Sequence, residues 1–140
     1  MLIDELHHLL TGTPMVAAAM ARFDFGDGVQ APAIFTTDPA PEDADAPFLV
    51  IVQDGGLSGR GTRSSRRANP TGTATLWGDF TRSDRSLLAL AEMVWRKLDR
   101  CELTVSGFGL AFIAADFPQK TRDGQGYPGY VINWSAILHE

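Results

Sequence analysis

Phe48-Leu49-Val50-Ile51-Val52 is an unbroken apolar run rich in β-branched residues, and it follows directly on an acidic, proline-rich stretch. A strand with one wet face alternates polar and apolar positions, so a continuous run of this length reads as a strand covered on both faces. Further along, Thr71 to Phe80 does alternate. Ala74, Leu76 and Phe80 fall on one face and Thr73, Thr75 and Trp77 on the other. The two segments therefore pair as a hairpin closed by a long loop, from about 54 to 70. That loop carries four glycines, three serines and four arginines beside one large apolar residue, Leu57. It buries too little surface to offset its ordering entropy, and mobility is expected of it in the isolated subunit.

Upstream, Leu2, Ile3, Leu6, Leu9 and Leu10 recur at helical spacing until Gly12 breaks the pattern. Thr13 as N-cap and Pro14 at the first helical position then start a second short helix over Met15 to Arg22. Gly26, Asp27 and Gly28 have turn composition, and Ala33-Ile34-Phe35 reads as a brief extended piece. The stretch from Thr36 to Pro47 has four carboxylates and three prolines, which makes it a surface loop.

Downstream, Ser83 caps a helix whose apolar face is Leu87, Leu90, Ala91, Val94 and Leu98, with Asp84 at the positive end of the helix dipole. Leu103 and Val105 have one parity and Phe108, Leu110 and Phe112 the other, so a bulge or bend is expected at Gly107 and Gly109. Lys120 to Gly129 reads as a turn-rich connection, after which Tyr130, Ile132, Trp134, Ala136 and Leu138 alternate. The expectation is an α+β fold in one domain spanning 1–140. It would have a four-stranded, mainly antiparallel sheet in the order β-β-α-β-β, with the long helix and the short N-terminal helices on one face.

Composition sets the class. Apolar residues make up 44% and charged residues 21% of the 140, a globular balance far from that of a disordered chain. A single cysteine, Cys101, excludes an intramolecular disulfide and a CxxC metal site. No apolar run approaches the 18 or so residues of a membrane span, and the acidic start Met1-Leu2-Ile3-Asp4-Glu5 is unlike a signal peptide. Synthesis in the cytoplasm and no membrane partner are expected.

Side chains that could carry chemistry are scattered. His7 and His8 point about 100° apart on a helix, and neither they nor His139 has a matching metal-ligand pattern. The Gly59-Arg60-Gly61 triplet lacks the continuation of a nucleotide loop, and Ser58, Ser64, Ser65 and Cys101 have no assigned base. The carboxylates from Asp38 to Asp45 do not match a calcium loop. No catalytic residue, cofactor or metal is therefore expected, and the chain is not read as an enzyme.

Charge is distributed in blocks. Net charge is −5, yet Asp38, Glu42, Asp43 and Asp45 sit in one loop and Arg60, Arg63, Arg66 and Arg67 in another. Such asymmetry suits head-to-tail contact between copies, and two solvated loops are the plainer reading. The arginine loop lacks aromatic residues, so it offers no stacking platform for single-stranded bases, and protein is the favoured partner over nucleic acid. Trp77, on the threonine face, is available to anchor an interface.

The order of these features resembles the tail terminator (tail completion) proteins of long-tailed bacteriophages and of phage-derived gene transfer agents. The resemblance runs over almost the whole chain: helix-forming Leu2 to Arg22, ADAPFLVIV, the polar excursion SGRGTRSSRR, and TATLWGDFTRSD. After them come LLALAEMVWRKL, GFGLAFIAADFP and DGQGYPGYVINWSAIL. It implies a non-catalytic structural protein that assembles as a ring, usually hexameric, on the head-proximal end of the tail tube. The ring stops tube polymerisation and meets the head connector or stopper, with DNA passing through its lumen without sequence-specific binding. The subunit would work in the bacterial cytoplasm during assembly and then remain in the particle. Another connector subunit, for head closure or the neck, is the alternative; a nucleic-acid-binding module ranks below it and a small-molecule enzyme last.

Overall fold

Leu2, Leu6 and Leu10 lie one helical turn apart, and all three are buried along one side of α1 (Leu2–Thr11). The computed structural model describes residues 2–37, 39–55, 70–79, 83–105 and 109–139. A second helix, α2 (Pro14–Ala19), begins with its proline, but Thr13 makes no capping bond to it. Its hydroxyl instead donates to the Leu9 carbonyl at 2.8 Å and ties the two helices together. The helix ends at Ala19, short of the expected Arg22, which opens the ribbon of β1 (Arg22–Asp24) and β2 (Gln30–Pro32).

The remaining strands form a seven-stranded mixed sheet, which overturns the expected four-stranded β-β-α-β-β sheet. They are β3 (Ile34–Phe35), β4 (Phe48–Gly55), β5 (Thr71–Trp77), β6 (Glu102–Val105), β7 (Gly109–Ala115), β8 (Gln119–Arg122) and β9 (Pro128–His139). Their order is β3-β4-β5-β9-β7-β6, with β8 also on β9. Only β3 and β4 pair in parallel. Three additions account for the difference, the first being β3, the brief extended piece Ile34–Phe35, which joins the sheet beside β4. The parity switch near Gly107 marks a hairpin between β6 and β7, with Val105 opposite Gly109, where a bulge or bend was expected. Lys120 to Arg122, expected in a turn, is strand β8 and pairs with the start of β9. Between β7 and β8 the pairing passes from Ala115–Trp134 to Gln119–Val131, so Asp116, Phe117 and Pro118 face two residues of β9. One residue is extra between these two strands, and within β4 the register shifts between Gln53 and Gly55.

The helix α3 (Asp84–Leu98) starts as its sequence dictates, the Ser83 hydroxyl accepting from the Ser86 amide at 3.1 Å. Leu87, Leu90, Ala91, Val94 and Leu98 are buried against Ile132, Trp134 and Ala136 of β9 and Ala111 and Ile113 of β7, in one core with Leu49, Ile51, Ala74 and Leu76. The sheet curls so far that α1 touches both β4, near one edge, and β6 at the other. On the opposite face a smaller cluster of Ala33, Phe35 and Val50 gathers Phe23, Phe48, Val52 and Trp77 around it. Strand β4 is thus covered on both faces, as its unbroken apolar run requires.

Two glycines on β5 and β9 set how closely aromatic rings approach this sheet. Gly72 lies beneath the Trp134 indole and against the Val52 carbonyl, leaving no room for a β-carbon. Gly129 serves Trp77 on the outer face in the same way: a β-carbon there would lie 2.6 Å from Trp77 Cε3. Neither glycine is required by a turn. Space alone demands them.

Candidate assembly interface

The acidic loop is positioned by its backbone. Ala44 N–H donates to the Pro41 carbonyl at 3.0 Å, Ala21 N–H donates to the Pro47 carbonyl at 2.9 Å, and Ala40 and Ala44 pack onto the outer cluster. Anchoring the alanines leaves Glu42, Asp43 and Asp45 exposed, as solvated carboxylates should be. Asp38 lies outside the described residues. So do Arg60, Arg63, Arg66 and Arg67, and with them the expected mobility of the loop. The bounds of that loop narrow nevertheless, because Asp54 and Gly55 still belong to β4.

The structure adds a second bank, which the sequence reading missed. The turn from β8 to β9 is tied by Asp123, whose Oδ1 accepts from the amides of Gln125 and Tyr127, each at 2.9 Å. Between this turn and the acidic loop runs an open groove of about 580 Å³. Phe48, Val50 and Trp77 line its floor, Glu42 and Asp45 one bank, and Asp123, Gln125 and Tyr127 the other. Asp79 stands at the end of β5. Carboxylates from three separated segments thus surround an aromatic floor. The signal for the second bank was present in the sequence: DGQGYPG begins with the Asp-Gly of a tight turn and ends with the glycine that Trp77 needs.

Beside the groove, on the helix side, the start of α3 is fastened to the β8–β9 hairpin. The Tyr130 hydroxyl donates to Asp84 Oδ1 at 3.0 Å, and Lys120 Nζ lies 3.0 Å from the same oxygen. Hydrogen bonds from Lys120 and then Tyr130 hold the Asp84 carboxyl below the usual carboxylate range. Burial, and then the adjoining carboxylate, push the Tyr130 phenol up.

Elsewhere, His7 and Cys101 are partly buried titratable groups. His7 Nε2 lies 3.0 Å from the Ile34 carbonyl, so that nitrogen carries the proton and joins α1 to β3. Burial pushes the half-buried Cys101 thiol up to about 11 and leaves it a poor nucleophile. Among the described residues no three of His, Cys, Asp and Glu gather into a metal-binding group. No helix among them is long and apolar enough to cross a membrane.

No protein-family model, curated protein or solved structure matches the chain. The surface therefore has to be read from its own chemistry. Besides the groove, its outstanding feature is a group of large apolar side chains exposed on the outer sheet face. Phe112 on β7 stands directly opposite Ile137 on β9, each 44% exposed, and Leu110 on the same face is 42% exposed.

Proposed function

We propose that this chain is a structural assembly subunit, a tail terminator that forms a ring on the head-proximal end of a phage-like tail tube. In this role it stops tube polymerisation and joins the tube to the head connector. The observation that carries the reading is the division of the sheet: helices cover one face, whereas the other face presents Leu110, Phe112 and Ile137 to solvent within paired strands. Contiguous large apolar side chains on a rigid sheet are what a protein contact surface offers. A ring subunit has a neighbour on each side and a tube below, so it has three partners for such surface. The sequence resemblance, which covers helices, strands and loops in order, adds the particular assembly.

The test is deletion of the gene in the producing bacterium, followed by electron microscopy of the lysate. Filled heads beside tails that are overlong or unable to join are expected, because tube growth loses its stop and its docking surface. Normal, joined particles would overturn the proposal.

A further inference from the structure

Strands β4 and β5 form one antiparallel hairpin with opposite chemistry at its two ends. At the end where Phe48 pairs with Trp77 lies the groove with its aromatic floor and the banks carrying Glu42, Asp45 and Asp123. At the other end Gly55 pairs with Thr71, and between them the sequence runs through Arg60, Arg63, Arg66 and Arg67. Eight residues of β4 separate the ends by roughly 23 Å. We propose that the groove receives arginine side chains from the 59–67 segment of a second copy of this chain, which stacks its basic end onto the acidic end of the first. The inference rests on the reading of the chain as a ring subunit and supplies its subunit-to-subunit contact.

Three features select an arginine as the occupant. Aromatic rings accept a guanidinium on their faces, and Trp77, seated close against Gly129, is of the residue type that does so best. Carboxylates on both banks meet the fork of a guanidinium in its own plane, which the point charge of a lysine does not match. The basic segment is also a complementary partner of the same chain, and only its middle, fully extended, spans the distance back to its own groove. A second copy placed end to end brings the whole segment alongside. Because the two patches differ, the contact is heterologous: a joined pair keeps one free acidic end and one free basic end, and closure of the series produces a ring.

The experiment titrates the full chain with the peptide Gly-Arg-Gly-Thr-Arg-Ser-Ser-Arg-Arg at low ionic strength, following amide and indole shifts by NMR. Saturable shifts confined to Trp77, residues 39–46 and residues 123–127 are expected. Glu42→Gln with Asp45→Asn, both exposed and so harmless to the fold, weakens binding about tenfold, and Trp77→Leu does the same. Absence of saturable shifts, or equal affinity in the Glu42/Asp45 variant, overturns the proposal, as does equal affinity for a peptide with every arginine changed to lysine. The two readings fail separately. Overlong tails in the deletion strain without peptide binding would sink this contact alone, whereas peptide binding beside normal particles would sink the terminator role alone.

Discussion

Gly129→Ala probes how tightly Trp77 is seated. The added β-carbon would lie 2.6 and 2.8 Å from Trp77 Cε3 and Cζ3 and 2.9 Å from the Leu76 carbonyl oxygen. Carbon atoms rest at roughly 3.5–4.0 Å, so the ring must rise by about 1 Å. Leu76 cannot yield in its place, because it belongs to a strand paired on both sides, with Leu49 and with Tyr130. Overpacking of this kind costs about 1–3 kcal/mol, against which the smaller entropy of an unfolded alanine returns about 0.4–1 kcal/mol. A net loss of about 1–2 kcal/mol is expected, a fall in Tm of roughly 3–8 °C for a chain of this size. Thermal melting by circular dichroism, with urea unfolding followed by tryptophan fluorescence, measures it. Gly124→Ala is the control: nothing lies within 4 Å of its β-carbon, so the entropy gain acts alone and stability is unchanged or slightly higher. A Gly129→Ala protein as stable as its parent would refute the seating of the ring and remove the rigid floor from the groove.

Asp84→Asn should lower Tm at pH 7, since the folded state depresses the carboxyl pKa and stabilises the ionised form. That stabilisation is present above the unfolded value near pH ~4 and is lost as pH falls through the folded one, so the variant and parent should converge in melts at pH values below the folded one. Cys101 should react slowly with a thiol reagent at pH 8 and about tenfold faster per pH unit up to pH 10, because its thiolate is scarce until about 11. Rapid, pH-independent labelling of the native chain would contradict its burial.

The local signals in the sequence were those with a strong period. α3 and the apolar faces of β5 and β9 are legible because burial repeats every 3.6 or 2 residues in them, and β4 because its apolar run is unbroken. The sheet as a whole was not. β3 has two residues, too few to show any period, and its parallel partner is set by the path of the acidic loop. β8 reads Gln-Lys-Thr-Arg and is mostly exposed; pairing with β9 holds it, not burial. The hairpin of β6 and β7 was merged into one strand because a parity change across glycines fits either a bulge or a turn. Of the candidate site, the exposed carboxylates were legible from composition. The groove was not, since Asp123 and Tyr127 lie some eighty residues from Asp45 and meet it only through the pairing of β5 with β9.

The position of β9 also governs the order in which the molecule can be completed. It comes after every other strand among the described residues, yet it lies between β5 on one side and β7 and β8 on the other. Before it is in place, β4–β5 and β6–β7 are two separate hairpins with no strand in common, each presenting an unpaired inner edge. Local pairing can form both early, but joining them waits for contacts that are distant in sequence and therefore slow to close. A chain still emerging from the ribosome would hold two open edges until β9 arrives, and those edges offer the same backbone groups to any neighbouring nascent copy. Slow synthesis through β9 should therefore promote aggregation, and chaperone capture at that stage should raise the yield of assembly-competent subunit.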